Sequence, residues 1–232
     1  MSIQSRTRST LMTGLLLGLL AARGAIGAEG APSPAPAAPT TPVQVRVTTS
    51  MGDFVIEVRA DRAPLTAQNF LRYVREGFYN GTLFHRVVAN FVVQGGGFDA
   101  ATQKVKTTHE SIFNESGNGL QNKRGAVGMA RSDPPHSGNS QFFVDLVDNP
   151  DLDPVPTRWG YTVFGRVVQG MDVLDRIGET ATGAWGPFKN DAPLKPVIIQ
   201  KAEIIGEAAS VVPAPATTVN PTRTDDTILS PK

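Results

Sequence analysis

Two apolar alternations separated by a glycine set the strongest limit on this fold. Val43, Val45 and Val47 alternate with Gln44, Arg46 and Thr48; beyond Met51-Gly52, Phe54, Ile56 and Val58 alternate with Val55, Glu57 and Arg59. Successive side chains of a strand point to opposite faces, so a period of two around a turn predicts a hairpin with one buried face. A hairpin is not stable alone and needs further strands to cover that face.

The rest of the chain supplies them. Leu65 to Glu76 changes to helical spacing, with Ala67, Phe70, Leu71 and Val74 on one side, Pro64 at a first-turn position and Gly77 as a stop. From Leu83 to Phe164 short β-rich pieces are divided by Gly, Asn, Asp and Pro clusters. Met171, Val173, Leu174 and Ile177 suggest a second short helix, and Pro196 to Ile205 a closing strand. Many short strands with two helices fit a mainly β fold, a closed antiparallel barrel whose openings the helices cap.

The two ends do not belong to that core. Residues 1–28 carry Arg6, Arg8 and Arg23, no acid, an apolar run from Leu11 to Ala22 and a small-residue exit. That order predicts a secretory signal peptide, cleaved after Gly27 or Ala28. The run is shorter than the ~20 residues of a spanning helix, so no membrane attachment is expected after cleavage. Residues 29–42 are an Ala/Pro-rich linker and residues 208–232 a Pro/Thr-rich tail expected to be disordered. Residues 43–207, about 165 of the 232, form the globular domain.

Without the leader, 19 basic residues face 21 acidic ones, a balance that argues against nucleic acid as a partner. The absence of cysteine excludes disulfides and thiol chemistry. His85, His109 and His136 are scattered without a ligand-like spacing, so no metal or other cofactor is expected, and His85 reads as a packed histidine. Ser132 and Ser140 lack a nucleophile-elbow context, and Gly95-Gly96-Gly97 lacks the lysine and helix of a phosphate loop.

What remains is a set of motifs: Phe84-His85-Arg86-Val87-Val88, Phe91-Val92-Val93-Gln94-Gly95-Gly96, Arg124 to Arg131 (RGAVGMAR), Ser140-Gln141-Phe142-Phe143 and Tyr161 to Val167 (YTVFGRV). In this order they resemble the cyclophilin family of peptidyl-prolyl cis–trans isomerases, most of all its periplasmic bacterial branch. The resemblance implies an eight-stranded barrel and action on X–Pro bonds of unfolded or flexible polypeptides in the periplasm; with no heptads or large exposed apolar face in the sequence, a monomer is expected. It implies that Arg86 is the catalytic donor and Gln94 its hydrogen-bonding companion. Phe91, Val92, Phe143, Leu152 and Tyr161 match positions that hold the proline ring, with a bend near Phe91. Gln141, Ala130 and Arg131 match the edge that pairs with the peptide backbone.

Two departures stand out. Asp151 occupies a position that is usually aromatic, which predicts weak cyclosporin binding unless Trp159 swings in to replace the ring. Arg131 stands where asparagine is common, and its charge suggests a preference for peptides acidic near the proline. The rival reading is a proline-peptide-binding module or holdase-type chaperone with little activity. The presence of both Arg86 and Gln94 disfavours it.

Overall fold

A computed structural model of the chain describes residues 42–205. The expected leader, the tail and nearly all of the linker lie outside the described residues. In chain order the elements are β1 (Gln44–Thr49), β2 (Gly52–Val58), α1 (Pro64–Arg75), β3 (Thr82–Val88), β4 (Val92–Asp99), β5 (Ala126–Met129) and β6 (Phe142–Asp145). A 3-10 turn (Pro150–Leu152), β7 (Val163–Gln169), α2 (Met171–Gly178), β8 (Thr182–Trp185), β9 (Phe188–Pro193) and β10 (Val197–Ile205) complete the described chain.

Eight strands close an antiparallel barrel in the order β1-β10-β3-β4-β6-β5-β7-β2, capped by the two helices. The opening hairpin is as expected: Val47 lies opposite Phe54 and Val45 opposite Ile56, and all four are buried. The hairpin β8–β9 stands outside the barrel and is an addition to what the sequence pattern predicted.

Helix α1 starts at Pro64, where the missing N–H has no intrahelical partner to lose, and stops before Gly77, whose φ of 65° is left-handed. Ala67, Phe70, Leu71 and Val74 are buried as expected, but so are Thr66, Asn69 and Tyr73. The long irregular segment between β4 and β5 satisfies Thr66 and Tyr73 on this second face, and Asn69 Nδ2 donates to the Asn139 carbonyl between β5 and β6. Thr66 donates from its N–H and hydroxyl to Glu115 Oε2 at 2.8 and 2.7 Å, and Tyr73 Oη accepts from the His109 N–H at 2.8 Å.

The core centres on Phe70, whose ring meets Phe164 at 5.0 Å, Tyr79 at 5.4 Å and Phe142 edge-on at 5.6 Å. Leu174 and Ile177 of α2 join the same cluster. Each such side chain removed from water contributes about 1.5–3 kcal/mol. With no cysteine in the chain, this burial carries the stability of the domain.

Candidate active site

The site begins with an irregularity in β3. Phe84 pairs with Gly95 and Arg86 with Gln94, so two steps along β3 match one along β4. Such a bulge inserts a residue and re-aims the side chains beyond it. Phe84 and Val87 therefore both enter the core cluster, and Arg86 comes to the outer face with its side chain 38% exposed. On β4 the core takes Val93, leaving Val92 and Gln94 together on the other face. Gln94 lies opposite Phe143, and Phe143 opposite Gly128.

One cross-strand row on the barrel's flank thus reads guanidinium, amide, aromatic ring, glycine. Gly128 is required there, because a Cβ at that position would run into the Phe143 ring. Phe142, one residue earlier, points into the core instead.

The expected bend near Phe91 is the β3–β4 turn. Asn90 is left-handed at φ 57°, and Phe91 lies just outside β4. Its carbonyl accepts from the Leu146 N–H at 2.9 Å and from Asn149 Nδ2 at 3.1 Å, which fixes the residue from below. The Phe91 ring centroid lies 5.7 Å from Arg86 Cζ, within cation–π range.

The polar side of the site lies along β4 and the loops around Ala130 and Gln141. Gln94 Nε2 donates to Gln141 Oε1 at 3.1 Å, and the Ala130 N–H donates to the Gln141 carbonyl at 2.9 Å. A cleft of about 300 Å³ opens among Gln94, Ala130, Arg131, Ser137, Asn139 and Gln141. Gln94 is thus Arg86's cross-strand neighbour, but its amide is engaged with Gln141. Tyr161 stands edge-on to Phe143 at 5.8 Å, with Arg131 Cζ 4.6 Å from its ring centroid. Leu152, in the 3-10 turn, is tied to Tyr161 through its carbonyl, which accepts the Tyr161 N–H at 2.9 Å. Asp151 is exposed, and the Trp159 ring packs edge-on to His136 at 5.2 Å. Among the described residues the indole makes no other ring contact.

Residues 44–204 match the family model described as cyclophilin type peptidyl-prolyl cis-trans isomerase/CLD. The chain belongs to the cyclophilin family. It is 47% identical over 173 residues to peptidyl-prolyl cis-trans isomerase A of Dickeya dadantii, covering 75% of this chain and 90% of the relative. It is 49% identical over 159 residues to isomerase B of Escherichia coli, covering 67% and 96% respectively. A solved cyclophilin-type isomerase from Cryptosporidium parvum superposes with a TM-score of 0.62 at 26% identity, over 72% of this chain and 99% of that one.

As a cyclophilin, the protein is a peptidyl-prolyl cis–trans isomerase. The X–Pro amide faces a barrier of ~18–20 kcal/mol from lone-pair conjugation. Rotation is helped by a donor at the prolyl nitrogen, an apolar wall for the ring and polar groups for the backbone. No covalent nucleophile is required. Among the described residues no three His, Asp or Glu side chains cluster as metal ligands.

His85 is buried as expected, but beneath the β8–β9 hairpin rather than in the barrel. Its ring lies 4.5 Å from Phe98 and 5.7 Å from Phe188. Burial, with a smaller push from the Arg86 charge, lowers its pKa to about 4, so the imidazole is neutral at pH 7. Two groups near the site carried no sequence signal. Asp191 Oδ2 of β9 lies 3.6 Å from Arg86 Nε. Asp145, fully buried on β6, accepts from Asn149 Nδ2 at 2.7 Å and has its pKa raised by burial to about 7.

Proposed function

We propose that Arg86 donates from its Nη edge to the prolyl nitrogen as the amide twists, while Phe91, Val92, Phe143, Leu152 and Tyr161 hold the ring. Gln94, Gln141, Ala130 and Arg131 take the peptide backbone along the polar cleft. The observation that carries this reading is the cross-strand row of Arg86, Gln94, Phe143 and Gly128, which sets a fixed cation beside an aromatic wall on a rigid sheet. An arginine suits the task because it stays charged and offers a planar fork of N–H groups.

The substrates are exposed X–Pro bonds in unfolded or flexible chains. A second structure of the Cryptosporidium parvum isomerase, 26% identical to this chain, was determined in the presence of the dipeptide Ala-Pro. That supports a small prolyl ligand on this fold. The protein acts as a monomer, and the basic–apolar–small order of residues 1–28 favours export to the periplasm.

The deciding experiment compares the parent with Arg86→Ala in a protease-coupled proline-peptide assay. An active parent and a much slower variant support Arg86 as donor; two equally fast proteins exclude it, and two inactive ones favour the binding module. Cyclosporin binds weakly, because exposed Asp151 presents a carboxylate where the drug needs apolar area. Asp151→Trp is expected to tighten inhibition about tenfold or more by restoring an aromatic surface. Nanomolar inhibition of the parent overturns this expectation.

A further inference from the structure

The hairpin β8–β9 is built around a bulge that serves the site. Gly183 pairs with Ala192 and Trp185 with Phe188, so two steps on β8 match four on β9. Within the excess, Asp191 adopts a left-handed backbone at φ 59°, a conformation aspartate tolerates better than most residues. Bulges next to active sites characteristically re-aim a side chain. Here the re-aimed carboxylate ends 3.6 Å from Arg86 Nε.

The hairpin is also clamped in place beside Arg86. Phe188 packs on Phe98 at 4.9 Å and on His85, the residue preceding Arg86, at 5.7 Å, and Trp185 stacks on Phe188 at 6.3 Å. The ion pair lies at Nε, 3.6 Å from an Asp191 Oδ2 that also accepts from Asn190 Nδ2 at 3.0 Å. Among the described residues neither Nη atom of Arg86 takes a hydrogen bond. With a carboxylate near Nε and the Phe91 ring at its side, the open edge of the guanidinium is the Nη pair.

We propose that Asp191 is a positioning residue for the isomerase site, holding Arg86 by Nε so that the Nη edge faces the substrate's prolyl nitrogen. This rests on Arg86 being the donor. Both partners are partly exposed, so the pair adds little to folding. Its effect is on orientation, where small misplacements are costly to rate.

Asp191→Asn and Asp191→Gly both suit a left-handed residue and leave the hairpin backbone unstrained. Each is expected to lower kcat/KM about 3–10-fold, because the donor loses its fixed aim. The Kd of an unreactive proline peptide stays within about twofold and the melting temperature is unchanged, as neither depends on that aim. In an Arg86→Ala background the same substitutions change nothing. Unchanged or faster turnover in the single variants overturns the proposal, as does an equal loss in both backgrounds, which would mark mere hairpin support. If Arg86→Ala is as fast as the parent, the donor assignment itself fails and this inference with it. A slow Arg86→Ala beside a fast Asp191→Asn sinks the inference alone.

Discussion

Arg86, paired across the strands with Gln94, and Arg131, which lines a cleft with that same Gln94, use their donors in opposite ways. Arg131 donates from Nε to the Gly160 carbonyl at 3.3 Å and from Nη2 to Trp159 O at 2.9 Å. Its Nη1 donates to Ser132 O and Asp133 O at 2.9 and 3.2 Å. Its plane lies near the Tyr161 ring, so the side chain ties two loops together. Among the described residues Arg86 has an ion pair with Asp191, at 3.6 Å, and no side-chain hydrogen bond, which leaves its Nη edge open. Equal charge therefore says little about role. On the proposed reading, the unengaged donor acts on the substrate and the engaged one shapes the wall.

The sharpest way to break that contrast is to delete each guanidinium. Arg86→Ala is expected to lower kcat/KM at least about 100-fold, the usual cost of removing one transition-state donor. Unfolding free energy should change little, because the one ion pair lost is partly exposed and 3.6 Å long. Arg131→Ala should do the reverse. Losing four carbonyl contacts and a ring contact costs about 1–2 kcal/mol in urea unfolding, with only a few-fold rise in KM as the loops loosen. Arg131→Lys should not rescue it, since an ammonium cannot reproduce the planar fork. Matching losses of activity in the two alanine variants would erase the distinction.

The barrel interior was legible because burial there follows a period of two, from Val45 and Val47 to Phe54 and Ile56. The flank was less so. Regular alternation from Phe84 would have sent Arg86 into the core beside it; only the bulge turns it out, and a one-residue register shift leaves no mark in apolar spacing. Motif resemblance, not periodicity, carried Arg86, Gln94 and Phe143. The β8–β9 hairpin escaped because TGAW and FKNDAP show little apolar alternation and fully bury only Ala192 and Pro193. Its one signal was Gly186-Pro187 between Trp185 and Phe188. Asp191 meets Arg86 only through tertiary packing, so nothing local announces it. Likewise Gln94 faces Gln141 rather than Arg86, a choice set by how β6 lies against β4.

A smaller effect separates the two ionisable groups buried on either side of the flank. Asp145 has its pKa raised from the usual 3.8 to about 7, first by burial, with Asp153 and Asp148 adding to the shift. Its Oδ2 has no partner among the described residues. The folded state therefore holds a proton that the unfolded chain releases, and stability present in acid is lost as pH rises from about 4 through 7. His85 works the other way: its lowered pKa makes the folded state exclude a proton, so stability falls as pH drops below 6.5 toward about 4. Comparing the parent with Asp145→Asn cancels the histidine. Between pH 6 and 8 the parent should lose about 1 kcal/mol relative to the variant in urea unfolding. Parallel curves would mean that Asp145 is ionised throughout.

The smallest expected effect concerns substrate charge, where the two arginines again differ. On the proposed reading the Arg131 guanidinium favours an acidic residue near the proline, but its donors are directed at Gly160, Trp159, Ser132 and Asp133 carbonyls. Without a direct hydrogen bond, an exposed pair across a solvated cleft is worth about 0.2–1 kcal/mol and is screened by salt. Peptides differing only by glutamate or glutamine beside the X–Pro bond should therefore turn over within about fivefold of each other at low salt. At 0.5 M salt they should converge, because screening shortens the reach of the charge to a few ångströms. A larger preference that survives salt would mean that Arg131 leaves its carbonyls on binding, and the wall would then be a participant like Arg86.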